Sequence, residues 1–317
     1  MVTSGRPRLG VIGVGGWGKN HPRVLAELGC LAAVCDSDGA RAKDAAGKHG
    51  AKPYTSVDDM LSQERLDGCL VCTPIRTHVA VAKKVMERGL HAFVEKPLAL
   101  TFSECEELAE LARKKRVILT CGYIERFNPA VSEAKKALDE KKYGEPLMME
   151  FHRENRMPLN LKDIGIVFDA SVHDIDTAMF LFGARPNVVF ARAGKHLHPL
   201  EDFATLMLGF PGQRVAVISS NWLTPKKVRT FSVVCTDGII SGNFLTQEIR
   251  VDTAGEAVSP RRPVEEPLML ELKNLIAAIE GKEYTIASAQ EATNVTQVAE
   301  AALLSSNTGS PIYLDLK

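Results

Sequence analysis

The chain is poor in aromatics, at 6%, carries no net charge, and holds no apolar run near the roughly 18 residues that a membrane span needs. Its 39 basic and 39 acidic residues cancel without a block of either sign, so the footprint of a nucleic-acid or anionic-membrane partner is missing. A small-molecule partner is therefore expected, with no nucleic acid and no membrane. The seven cysteines, Cys30, Cys35, Cys69, Cys72, Cys105, Cys121 and Cys235, form an odd set scattered through apolar stretches. That argues against a disulfide framework and for reduced thiols in a cytoplasm. Cys69 and Cys72 make a C-x-x-C, but within Gly68–Thr73, which reads as a buried strand without further ligands, so no metal is expected. The polar start Met1–Arg8 is followed by a short, glycine-broken apolar run with no cleavage site, so no export is implied.

At 317 residues the chain suits two domains, each able to bury its own core. The first, residues 1–122, opens on a short apolar run that ends in Gly13-Val14-Gly15-Gly16-Trp17-Gly18, and an amphipathic segment follows. Strand, glycine turn and helix in this order predict a dinucleotide site. The first glycine permits the tight turn, the second lets backbone approach a pyrophosphate, and the third lets helix pack on strand. A second apolar run ends in Asp36, where a carboxylate takes both ribose hydroxyls and repels a 2′-phosphate, so the cofactor expected is NAD. The plain alternative for Asp36 is a turn residue. Further alternation of apolar runs and helical segments predicts a parallel, doubly wound sheet. Ligands of such sheets bind beyond the carboxyl ends of the strands, where Thr73-Pro74 and Glu95-Lys96-Pro97 fall.

In the second domain, residues 123–317, period-two runs predominate: 147–152, 188–193, 204–208, 215–222, 231–236, 239–244 and 247–251. Short turns such as Phe210–Gln213 and Thr236–Gly238 predict a large, open, mostly antiparallel sheet. An uncovered face on such a sheet predicts a homodimer or homotetramer formed through it. Between the first two of these strands, Val172, Ile175, Met179 and Phe182 recur at helical spacing, and Asp169 and His173 stand four apart beside them. A metal site on Asp169, His173 and Asp176 lacks a completing ligand. A helix cap for Asp169 and a satisfied histidine at His173 are the plain alternatives.

Four motifs in order and spacing resemble the glucose-fructose oxidoreductase and inositol dehydrogenase (Gfo/Idh/MocA) family. They are the glycine turn, Glu95-Lys96-Pro97, Gly122–Pro129 and Asp169-x-x-x-His173-Asp174. The resemblance spans essentially the whole chain and implies an α/β protein, a Rossmann domain followed by an α/β domain with a large open sheet. It also implies a cis peptide before Pro97. It puts Lys96, Asp169 and His173 on the positions that carry catalysis in inositol dehydrogenase-like members. Ile124–Val131 and Asn221–Arg229 are similar to a subgroup of UDP-N-acetylglucosamine 3-dehydrogenases.

The implied activity is NAD-dependent oxidation of a secondary hydroxyl of a sugar or nucleotide sugar, most concretely C3 of UDP-N-acetylglucosamine to the 3-keto sugar. A free-sugar or inositol dehydrogenase is the alternative, and a non-catalytic NAD-bound regulator the alternative from another class. His173 is the better general base, Asp169 its support, and Lys96 the donor to the reacting oxygen, although the roles of Lys96 and His173 exchange if the lysine is depressed. The two are expected to converge on one substrate oxygen. Gly13, Gly15, Gly16, Trp17, Gly18, Asp36, Thr73, Pro74, His78, Glu95, Lys96 and Arg126 are the expected cofactor contacts. Lys96, Arg126, Asn128, Arg153, Arg156, Asp169 and His173 are the expected substrate contacts, and Arg153, Arg156, Lys226 and Lys227 are the cations available to a diphosphate.

Overall fold

Apolar runs and amphipathic segments alternate through the first third of the chain, and the structure, a computed structural model that describes residues 5–158, 163–260 and 263–314, folds them into a parallel sheet. Residues 1–4 of the polar start and 261–262 of the proline-bearing connection lie outside the described residues. The elements are β1 (Leu9–Ile12), α1 (Asn20–Glu27), β2 (Leu31–Cys35), α2 (Gly39–His49), β3 (Lys52–Tyr54), α3 (Val57–Gln63), β4 (Gly68–Val71), α4 (His78–Glu87), β5 (His91–Val94), α5 (Phe102–Lys115) and β6 (Leu119–Cys121). The strand order is β3-β2-β1-β4-β5-β6, the doubly wound arrangement whose order reverses beside β1. Strands β1 and β4 are buried throughout, as a sheet covered on both faces requires. Helix starts follow local chemistry: Asp38 accepts from the Ala40 and Arg41 amides at α2, and Thr101 with Glu104 closes a capping box at α5. Cys69 lies buried in β4, where burial pushes its thiol up to about 12, and none of the seven cysteines is in a disulfide.

The second unit begins at Ile124 and carries α6 (Pro129–Asp139), β7 (Pro146–Arg156), α7 (Val172–Phe182), β8 (Val188–Gly194), β9 (Phe203–Phe210), β10 (Arg214–Asn221), β11 (Leu223–Cys235), β12 (Ile239–Asn243), β13 (Ile249–Asp252) and β14 (Ala257–Val258). After α8 (Pro267–Ile279) and α9 (Ala289–Thr308), β15 (Ile312–Tyr313) completes a nine-stranded sheet ordered β14-β13-β12-β11-β7-β10-β9-β8-β15. All its pairings are antiparallel except β7 with β10. One face is core: Met149, Phe151, Ala216, Ile218, Phe231 and Val233 are buried, and α7 packs on β7 and β10.

Two features depart from the sequence expectations. Leu268–Thr293, which a single boundary after residue 122 assigns to the second half, belongs to the first compact unit. Strand β11 starts at Leu223, well before the apolar run at Phe231, because its polar stretch still pairs with β7. No helix among the described residues is long and apolar enough to cross a membrane.

Candidate active site

The glycine turn has the shape its sequence requires. Gly13 sits at φ +90°, and a Cβ there would lie 2.5 Å from the Cys72 carbonyl oxygen; one at Gly18 would collide with the Gly13 carbonyl. Gly16, by contrast, faces open space, and a Cβ at Gly15 would meet only the Arg41 side chain. The turn is closed where the sheet approaches and open where a pyrophosphate would come, so these residues fit a dinucleotide. Asp36 is buried at the end of β2 and accepts from the amides of Val14 at 3.0 Å and Asp38 at 2.9 Å, and from Arg41 Nη2 at 2.9 Å. Burial raises its carboxyl, but the Arg41 guanidinium and the two amides outweigh burial and hold it below the usual range. Asp36 thus braces the glycine turn as well as presenting a charged carboxylate beside it.

Glu95, at the end of β5, organises the second part of this unit. Its Oε1 accepts from the Trp17 indole at 3.0 Å and lies 3.0 Å from His21 Nε2, while its Oε2 accepts from the Lys96 amide at 3.1 Å. The carboxylate therefore ties the glycine-turn segment to the backbone of the candidate lysine. Burial raises its pKa, yet His21 and Lys96 reverse that effect and leave it lowered. His78 makes a second tie, with Nε2 2.8 Å from the Thr73 carbonyl oxygen and Nδ1 3.0 Å from that of Pro97, behind a cis Lys96–Pro97 peptide. Lys96 is left half-buried between these braces.

In the second unit, the stretch from Ile164 to Met179 is buried at every position except Asp169 and His173. It begins with a π-helical turn, Val167–Ser171, in which the Val172 amide reaches back to the Val167 carbonyl, and continues as α7. Such turns break the α-helical side-chain spacing and often mark functional positions. Asp169 lies inside this turn, which overturns the helix-cap alternative for it. The carboxylates around His173 are committed. Arg153 donates to Asp174 at 2.9 and 2.8 Å and to Glu125 at 3.0 Å, all three groups being buried. Burial opposes the Arg153 charge, but the two carboxylates dominate and raise its pKa. Arg126 forms a second buried fork, donating to Asp176 at 2.8 and 2.6 Å.

Several residues expected to touch ligands are therefore occupied with the protein. Arg126 and Arg153 are buried in ion pairs, which takes Arg153 out of the set of cations available to a diphosphate. Asn128 caps α6 and donates to the Phe244 carbonyl at 2.9 Å, and His78 spends both ring nitrogens on backbone carbonyls. Arg156, Lys226 and Lys227 remain exposed. The sequence names Asp174 in a motif and Asp176 as a metal candidate but not their pairing with arginines, although acidic residues inside the otherwise apolar α7 are a signal for buried cations. A groove of about 860 Å³ bordered by Glu150, His152 and Gln247 opens elsewhere on the sheet, and no candidate catalytic residue lines it. Among the described residues no cluster of three His, Cys, Asp or Glu has metal-binding geometry.

Residues 7–123 match the model of an oxidoreductase family with an NAD-binding Rossmann fold, and residues 131–241 match the GFO/IDH/MocA C-terminal domain. The UDP-N-acetylglucosamine 3-dehydrogenase of Acidithiobacillus ferrooxidans is 29% identical over 256 residues, covering 81% of this chain and 80% of that protein. A solved structure of the enzyme from that organism has a TM-score of 0.89 at 26% identity, over 96% of this chain and 98% of the other. The NAD(+)-dependent scyllo-inositol 2-dehydrogenase of Bacillus subtilis is 28% identical over 335 aligned positions, covering 98% of this chain and 97% of that protein.

Proposed function

Because the chain belongs to the Gfo/Idh/MocA oxidoreductase family and its first domain is an NAD-binding Rossmann fold, we propose that it oxidises C3 of UDP-N-acetylglucosamine to the 3-keto sugar. The protein is an NAD-binding dehydrogenase. The likeness to the Acidithiobacillus ferrooxidans enzyme, in sequence and in fold, carries the choice of sugar and carbon.

Oxidising a secondary alcohol removes a hydride and a hydroxyl proton. The open side of the glycine turn and the Asp36 carboxylate are the groups that would hold NAD, which when bound would supply the hydride acceptor. The remaining work falls to side chains. His173 takes the hydroxyl proton, since an imidazole changes charge near neutrality, and Asp169 orients it. Lys96, held by Glu95 through its amide, donates to the reacting oxygen and stabilises its alkoxide character. The buried Asp174 next to His173 fixes that segment of α7 through Arg153.

The test is NADH absorbance growth with UDP-N-acetylglucosamine, other UDP-sugars, glucose and the inositols. The expected outcome is a kcat/KM for UDP-N-acetylglucosamine at least about a hundredfold above that for any free polyol. A preference for inositol would sink this reading and favour the second one, an inositol dehydrogenase, which the near-complete alignment with the Bacillus subtilis enzyme supports. On the outer face of the second sheet Phe203, Met207 and Ile239 are exposed, and a second copy of the chain is the cover we infer, in a homodimer or homotetramer. Sedimentation as a monomer at high concentration would refute that assembly.

A further inference from the structure

The register of the second sheet sets two arginines face to face. Arg229 on β11 pairs directly opposite Arg153 on β7, in the same register that sets Phe231 against Phe151 and Val233 against Met149 on the core face. Like charges opposite one another destabilise a sheet unless something neutralises them. Arg153 is neutralised, by Asp174 and Glu125. Arg229 is less so: among the described residues its ion pair is a 3.8 Å contact to Glu125 Oε1, the oxygen that already accepts from Arg153 at 3.0 Å. Its Nε is buried with no hydrogen-bond partner among the described residues, an unmade bond that costs free energy even though the side chain as a whole is 31% exposed. Lys227 precedes it by two residues, and no carboxylate pairs with it among the described residues. Although Lys227 is exposed, partial desolvation and the neighbouring guanidiniums of Arg229 and Arg153 hold it below the ordinary lysine range. Burial, then Arg153, depress Arg229 as well, while Glu125, Asp174 and Asp169 act in the other direction.

We propose that Arg229 and Lys227 bind an oxyanion carried by the substrate, a phosphate or a carboxylate. A guanidinium offers a planar fork to such a group and a lysine a point charge, and one anion between them would satisfy the orphaned Nε and quench the repulsion with Arg153. Asp169, one of the two half-exposed positions in the buried stretch that carries His173, is among the carboxylates whose charge acts on Arg229. A neutral polyol has nothing to offer them; the diphosphate of a nucleotide sugar does. The inference rests on the sugar-dehydrogenase reading for its substrate, but its test does not.

The experiment is calorimetric titration of the NAD-loaded protein with UDP and, separately, with glucuronate, at low and moderate salt. Wild type, Arg229→Gln, Arg229→Lys and Lys227→Gln are compared, and NAD affinity and thermal melting serve as controls. UDP is expected to bind, with Kd about ten- to a hundredfold weaker in Arg229→Gln and partly restored in Arg229→Lys, while NAD affinity stays unchanged. Binding of UDP should also weaken with salt. Glucuronate binding that depends on Arg229 in the absence of UDP binding would assign the oxyanion as a carboxylate and support the proposal. If Arg229→Gln does not fold, the exposed Lys227→Gln carries the test, with an expected loss of several-fold. Failure of both anions to bind wild type, or affinities unmoved by the variants, would overturn the proposal. UDP binding that needs Arg229 without turnover of any UDP-sugar would leave the inference standing and remove the proposed reaction. Turnover of inositol with KM unchanged in Arg229→Gln would do the reverse.

Discussion

Glu95 in the first unit and Arg153 in the second solve one problem with opposite charges. Each is an ion that fixes the chain beside a half-exposed candidate: Glu95, its side chain 12% exposed, adjoins Lys96, and the fully buried Arg153 grips Asp174, which adjoins His173. The means differ. Glu95 is held by an indole, a backbone amide and an imidazole. Arg153 is held by two carboxylates, so that removing either leaves a charge without its counterion in the core. The first hub is a carboxylate that gathers donors, while the second is an ion network whose members depend on one another. The residues proposed to do chemistry are thus separable from those that hold them, and the cost of disturbing the holder depends on whether its partners are ions.

That separation is most sharply tested at the two half-exposed positions. Lys96→Ala and His173→Ala are each expected to lower kcat by about 10²–10⁴, with NAD affinity and melting temperature near wild type. A His173→Ala protein with undiminished kcat would remove the base assignment, and one that melts early would put His173 among the holders. The next effect in size concerns the hubs themselves. Asp174→Ala is expected to destabilise the protein by about 3–5 kcal/mol, because Arg153 keeps its charge and loses its fork partner. Glu95→Gln removes the charge but keeps an acceptor for Trp17, and about 1–3 kcal/mol is expected. Denaturant titration of both variants gives the comparison, and equal costs would dissolve the distinction between the two hubs.

The first hub was easier to see in the sequence than the second, for a physical reason. The glycine turn, Asp36 and Glu95-Lys96-Pro97 lie at strand ends and carry motif spacings, so residue type states their geometry directly, although the contact of Glu95 with Trp17 spans 78 positions and no motif announces it. The capping box at Thr101 and Glu104 and the alternation in β9 are equally local. The second hub joins partners 21 and 28 positions apart and the Arg126 fork partners 50 apart, and nothing local distinguishes a buried arginine from a solvated one. Arg126 and Arg153, expected from the sequence as ligand contacts, pair with buried carboxylates in the structure. The same limit applies to Leu268–Thr293, whose helical pattern predicts an amphipathic segment but not which unit it joins. The π turn at Val167–Ser171 was invisible because its extra residue leaves the apolar pattern of α7 intact.

The smallest expected effect is the pH response of the first hub. The folded-state pKa of Glu95 is lowered, with His21 and Lys96 more than offsetting its burial. A group lowered on folding contributes stability that is full above its unfolded value, about 4.3, and is lost as pH falls through the folded value. Asp36, also lowered, adds to the same acid limb through Arg41 and the Val14 and Asp38 amides. Melting temperature should therefore decline as pH drops below the usual carboxylate range, and Glu95→Gln should decline less steeply there than wild type while starting from a lower value near neutrality. Parallel curves for the two proteins across that range would mean that Glu95 is no more easily ionised in the folded chain than in the unfolded one, and the first hub would lose its electrostatic basis.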